Sequence, residues 1–137
     1  MSRHTGSCMC GGVKIETEGE PMLVGHCHCL DCQKSSGAGH TTLALFADEQ
    51  MEVTGALSHY ESKTDSGNIL TRSFCPTCGS RMIGKSTGMP THAAIFLGVL
   101  DDSDALQPAM SFYAKRLRTW DHLAEGIPAF ETLPPQP

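Results

Sequence analysis

The chain has 137 residues, which fits a single domain spanning 1–137, long enough to bury a hydrophobic core. Ten basic against fifteen acidic residues leave a formal charge of −5, and that balance argues against the basic face that nucleic-acid binding needs. No apolar run approaches the roughly 20 residues of a membrane span, and Met1 to Ser7 lacks the apolar centre of a signal peptide, so the sequence reads as a cytoplasmic protein in a reducing compartment.

In chain order, Val13 to Glu16 alternates apolar and polar residues, the pattern of a half-buried strand. Leu30 to Ser36 predicts one or two helical turns that stop before Gly37. Thr41 to Phe46 predicts a strand, and Met51 to Val53 predicts another that turns at Thr54-Gly55 into a strand over Leu57 to Ser62. Asn68 to Phe74 reads as a strand entering the Cys75 turn, with Arg81 to Gly84 as its hairpin partner. Ala93 to Leu100 is one continuous apolar run, expected as a buried strand, and Met110 to Ala114 is a weaker strand signal. The proline-rich tail from Gln107 predicts extended chain with turns. The sum is a mainly β domain of short strands with few helical turns.

Seven cysteines fall in three tight groups: Cys8 with Cys10, then Cys27, Cys29 and Cys32, then Cys75 with Cys78. Disulfides fit poorly, because the count is odd and partners one or two residues apart cannot easily bridge. Thiolate groups at this spacing chelate soft metals; zinc is the leading candidate, and iron–sulfur clusters suit the same donors. In extended chain, Cys8 and Cys10 aim to one side. Pro76 pre-sets the Cys75 turn, and Gly79 allows positive φ where the backbone folds back, bringing N–H groups toward the sulfurs. Seven divides into four plus three: four thiolates close a tetrahedral zinc, whereas three leave a position for water or substrate. Cys27, Cys29 and Cys32 form a local tripod, although Cys27 and Cys29 pairing with Cys75 and Cys78 satisfies the same spacing.

Other residues carry weaker signals. His28 lies inside the tripod sequence and His26 beside it, and histidine ordinarily titrates near neutral pH, so either is a candidate proton shuttle. His28 alternates with its cysteine neighbours, which points it away from them, to solvent or to a supporting position. Lys34 and Arg72 are candidates to meet substrate carboxylates, against the plainer expectation of solvated surface charge. His40 and His92 have no spacing argument, and Trp120 is expected to pack in the core or at a rim.

Three segments resemble one family in order: Gly6-Ser-Cys-Met-Cys-Gly-Gly-Val13, His26-Cys-His-Cys-Leu-Asp-Cys-Gln-Lys34 and Phe74-Cys-Pro-Thr-Cys-Gly-Ser80. They are similar to the glutathione-dependent formaldehyde-activating enzymes, a family that also includes centromere protein V-like proteins. Gly126-Ile-Pro-Ala-Phe130 resembles the family's closing Gly-Leu-Pro-x-Phe pattern. The resemblance implies an Mss4-like fold of short antiparallel strands and two zinc ions. Cys8, Cys10, Cys75 and Cys78 would hold a structural zinc, and Cys27, Cys29 and Cys32 a catalytic one. Many members carry proline before the tryptophan near the C-terminus; here Thr119 precedes Trp120.

The implied activity is carbon–sulfur lyase chemistry on a small-molecule thiol and an aldehyde, by resemblance glutathione and formaldehyde, giving S-hydroxymethylglutathione. His28, Lys34 and Arg72 are then the substrate-binding candidates. A free thiol of pKa near 8.5 is mostly protonated at pH 7, whereas a metal-bound thiol is ionised. Three anionic sulfurs already donate to the metal, so thiol binding is favoured over polarising the aldehyde oxygen. The alternative function is a noncatalytic zinc scaffold of the same fold.

Overall fold

The computed structural model describes residues 2–134. Its first sheet has three strands, β1 (Arg3–Ser7), β2 (Lys14–Glu18) and β5 (Met51–Thr54), in the order β1-β2-β5. The second sheet has seven: β3 (Leu23–Cys27), β4 (Thr41–Ala47), β6 (Ser58–Lys63), β7 (Ile69–Phe74), β8 (Arg81–Ser86), β9 (His92–Phe96) and β10 (Met110–Phe112), in the order β10-β3-β4-β9-β8-β7-β6. The single α-helix among the described residues, α1 (Leu30–Ser36), follows β3 and ends at Gly37 in the left-handed conformation, where glycine carries no Cβ penalty.

Alternation works where one face meets the core. In β2, Ile15 and Thr17 are buried while Lys14, Glu16 and Glu18 are exposed. The main core joins Val13 and Ile15 of the small sheet to Ala44, Phe46, Met82 and Ile95 of the large one, with Leu97, Leu100 and Leu106. Cys8 and Cys75 are part of this core, so the first and last cysteine pairs lie where the two sheets meet. A smaller cluster forms around Cys27, Cys32 and Phe112, with Cys29 and Tyr113 packed on it.

One strand expectation needs correction. The run Ala93 to Leu100 is not one strand: β9 ends at Phe96, Leu97–Val99 forms a 3-10 turn, and Leu100 bridges back to Gly6 of β1. This redirects Leu97 and Leu100 into the main core while placing both sheets in contact. The sheets are of short antiparallel strands, as expected, with one parallel pair at the edge, where β10 lies beside β3 and Phe112 opposite Cys27. The long connection between them supplies the crossover that a parallel pair needs.

The tail is extended chain with turns, as expected. It runs beside β10: Ser111 N–H donates to the Pro128 carbonyl and Phe130 N–H donates back to the Ser111 carbonyl, both at 2.9 Å. Tyr113 N–H donates to the Thr132 carbonyl, also at 2.9 Å. These bonds hold Tyr113 at φ 57°, the one non-glycine residue with positive φ among the described residues.

Candidate metal centres and their surroundings

The turn between β7 and β8 builds the first centre. Cys75 N–H donates to the Ser80 carbonyl and Gly79 N–H to the Cys75 carbonyl, with Gly79 at φ 76° as the fold-back requires. The N–H groups of Thr77 and Cys78 point at Cys75 Sγ, at 3.4 and 3.5 Å. The turn before β2 does the same for Cys8, whose Sγ accepts from Val13 N–H at 3.2 Å. Ser80 ties the two halves together, its hydroxyl accepting from Met9 N–H and lying 3.2 Å from Cys78 Sγ.

Cys8, Cys10, Cys75 and Cys78 bring all four sulfurs within 4.8 Å of one another. Cys8 to Cys10 is 3.6 Å and Cys10 to Cys75 is 3.7 Å. A tetrahedral zinc with bonds of about 2.3 Å requires sulfur–sulfur edges of about 3.8 Å, so this donor set fits the ion. Proton sharing among the sulfurs splits their acidities. The Ser80 hydroxyl and backbone N–H groups pull Cys78 down to about 5, whereas the neighbouring sulfurs, outweighing the Gly12 N–H, push Cys10 up to about 11. A bound cation resolves that conflict by ionising every ligand.

The second centre lies where β3 runs into α1. Cys27 ends the strand, Cys29 caps the helix by accepting from Cys32 N–H at 3.2 Å, and Cys32 sits in the first turn. Their sulfurs also lie within 4.8 Å of one another, and among the described residues no fourth histidine, cysteine or carboxylate joins that group. Cys27 and Cys29 therefore cluster with Cys32 and not with Cys75 and Cys78. The thiols of Cys27 and Cys29 hydrogen-bond Cys32 and pull it down to about 3, while Cys29, Cys32 and burial push Cys27 well up. One proton-poor sulfur beside two proton-rich ones is a donor set that suits a soft cation.

Two arginines stand beside this tripod. Arg81 is half-buried over the Phe96 ring, 4.0 Å from its centre. Burial lowers its pKa, and attraction from Cys32 and Cys29 opposes the shift. Arg72 is buried rather than solvated, which corrects the surface-charge expectation. It donates to Ser62 Oγ at 2.8 Å, approaches Asp31 at 4.0 Å, and leaves its Nε without a partner. Tyr113 packs on the same cluster, and burial together with Asp65, Cys29 and Cys27 raises its pKa.

Lys34 is exposed, as expected, and lines a shallow groove with Gln33, Arg118 and Trp120. Trp120 is 66% exposed, so it forms a rim rather than core. His28 is not solvent-facing: it is 1% exposed, just past the end of β3, and its ring nitrogens do not join the sulfur group. There it meets His40 and Asp121, neither of which any local spacing in the sequence singled out. His26 bonds Thr42 Oγ1 at 2.8 Å; burial lowers the pKa of both His26 and His28. All seven cysteines are free thiols, and no described helix is long and apolar enough to cross a membrane.

Comparison with known proteins agrees with this geometry. The fold is similar to the crystal structure of a Rhodobacter sphaeroides protein from structural genomics, at 20% identity and a TM-score of 0.60, covering 92% of this chain and 99% of that one. No curated protein sequence matches the chain. Residues 3–116, which carry all seven cysteines, match the family model of the glutathione-dependent formaldehyde-activating enzyme. The chain belongs to the glutathione-dependent formaldehyde-activating enzyme family.

Proposed function

We propose that this protein is a zinc-dependent carbon–sulfur lyase-type enzyme that joins a thiol to an aldehyde and reverses the step, with glutathione and formaldehyde as its pair. The observation that carries this reading is the four-plus-three division of sulfurs. Cys8, Cys10, Cys75 and Cys78 would hold a structural zinc with its coordination complete. Cys27, Cys29 and Cys32 would hold a second zinc with one position left for an incoming ligand. When bound, that second ion supplies the charge that keeps a substrate thiol ionised at neutral pH.

The chain's own groups do the rest. Arg81 and Arg72 place two fixed cations beside the tripod, where they attract an anionic thiol and orient its carboxylates. Lys34 offers a further cation one helical residue beyond Gln33, at the groove shared with Arg118 and Trp120. In the forward step the thiolate sulfur forms a bond to the carbonyl carbon, the C=O π pair moves to oxygen, and that oxygen takes a proton. Tyr113, held by burial and nearby anions above the ordinary phenol range, keeps its proton at pH 7 and is the donor assigned to this step. The reverse step returns the proton and cleaves the same carbon–sulfur bond.

The test combines metal analysis with an adduct-formation assay using glutathione and formaldehyde. About two zinc ions per chain and a rate above the spontaneous one support the reading. Zinc at the same content with no rate gain across a panel of thiols and aldehydes overturns it in favour of a scaffold.

A further inference from the structure

A third ligand set lies outside both sulfur centres. His28 directly follows β3 and His40 directly precedes β4; continuing the register in which Cys27 faces Thr41 sets the two histidines opposite each other. Their rings are 4.7 Å apart, tilted by 38°. Asp121 reaches them from the tail. Its turn is closed by Asp121 N–H donating to the Arg118 carbonyl, and Arg118 Nε bonds Gln33 Oε1 of α1 at 2.7 Å.

Asp121 Oδ2 lies 2.7 Å from His40 Nδ1 and 3.4 Å from His28 Nδ1. The three groups offer ligand atoms within 4.8 Å of one another. His28 is 1% exposed, and its Nδ1 has no hydrogen-bond partner although it faces this carboxylate. A buried imidazole nitrogen without a partner costs free energy unless something fills the gap. Gly39 completes the cradle: a Cβ there would collide with the Asp121 carboxylate, so the backbone beside His40 is cut back to admit it. His26 stacks edge-on against His40 at 5.0 Å, but its Nδ1 is committed to Thr42.

We infer that His28, His40 and Asp121 form a third metal site, which takes a divalent transition ion of the zinc and cobalt class. Bonds of about 2.1 Å from one ion to nitrogen and oxygen require ligand–ligand edges of about 3.0 Å in octahedral and about 3.4 Å in tetrahedral geometry, and 2.7 and 3.4 Å bracket that range. Two borderline imidazoles beside one hard carboxylate favour such an ion over calcium or magnesium, which prefer all-oxygen shells, and the absence of sulfur separates this site from the thiolate centres. His40 is part-exposed and provides the way in from solvent. The site goes beyond the proposed lyase activity and does not depend on it.

The test is Co2+ titration of the zinc-loaded full-length protein under reducing conditions. The expected result is about one further equivalent, with weak d–d bands, no thiolate-to-cobalt charge-transfer band and unchanged zinc content. His40→Ala and Asp121→Asn should each weaken that equivalent about tenfold or more while retaining the thiolate-held zinc. Failure of the wild type to bind a further equivalent overturns the inference, whatever the variants do. Binding accompanied by thiolate charge transfer or zinc release overturns it too, as does binding unchanged in both variants. Loss of lyase activity with the cobalt equivalent intact would sink the proposed function alone.

Discussion

Cys10 Sγ lies 3.7 Å from Cys75 Sγ although 65 positions separate them in the chain. Closing that span costs only a few kcal/mol, whereas structural zinc supplies on the order of 10 kcal/mol, comparable with a domain's whole stability of about 5–15 kcal/mol. Cys78→Ser should therefore abolish cooperative thermal unfolding. Cys29→Ser, in the satellite cluster, should stay folded while losing about one zinc and all adduct formation. Melting curves paired with metal analysis check both; identical behaviour of the two variants would refute the division of labour.

Acid should release zinc before it unfolds any zinc-independent part of the chain. The ligands bind as thiolates, and free thiols have pKa values near 8.5, so protons compete harder at each step downward in pH. Stability supplied by the metal is present at neutral pH and lost as pH falls. A zinc-indicator dye, read from about pH 7.5 down to about pH 4, should show release preceding or accompanying the loss of native circular dichroism.

Arg72→Met should separate recognition from chemistry. It removes a buried cation that bonds Ser62 and faces Asp31. Adduct formation from glutathione should fall about tenfold in kcat/KM, through KM, while a neutral thiol of similar acidity loses little. Equal losses for both thiols would assign Arg72 to structure.

Tyr113→Phe keeps the packing against Cys27, Cys32 and Phe112 but deletes the hydroxyl. The rate of adduct formation should drop by about 10²-fold with the melting temperature nearly unchanged. An unaltered rate would remove Tyr113 from the proton path.

Gly39→Ala inserts a methyl group against the Asp121 carboxylate. The expected cost is about 1–3 kcal/mol, because the tail turn must shift. Denaturant unfolding measures it, and a variant as stable as wild type would show that Asp121 moves freely.

Much of this was legible in the residues. β2, β4, β5, β7 and β8 followed from alternation and turn chemistry, and α1 has the predicted span, Leu30–Ser36. Two strands gave no signal. The buried face of β1 is His4 and Gly6, neither of which reads as core, and β3 is covered on both faces as Leu-Val-Gly-His-Cys, without alternation. The cysteine groups were readable because their ligands are local in sequence. Arg81 and the His28–His40–Asp121 set were not, since β pairing and a tail turn bring them together across long separations.

The tail's backbone bonds to Ser111, Tyr113 and Ala114 give the far end of the chain a share in the proposed reaction chamber. One wall of that chamber is strapped in place by residues 128–132, beyond the segment that matches the family model. Cutting the polypeptide after Gly126 would release the strap and let the Tyr113 bend relax, leaving every sulfur present but the chamber unwalled. A segment that holds no metal ligand for either sulfur centre thus fixes the backbone on which the proposed proton donor stands.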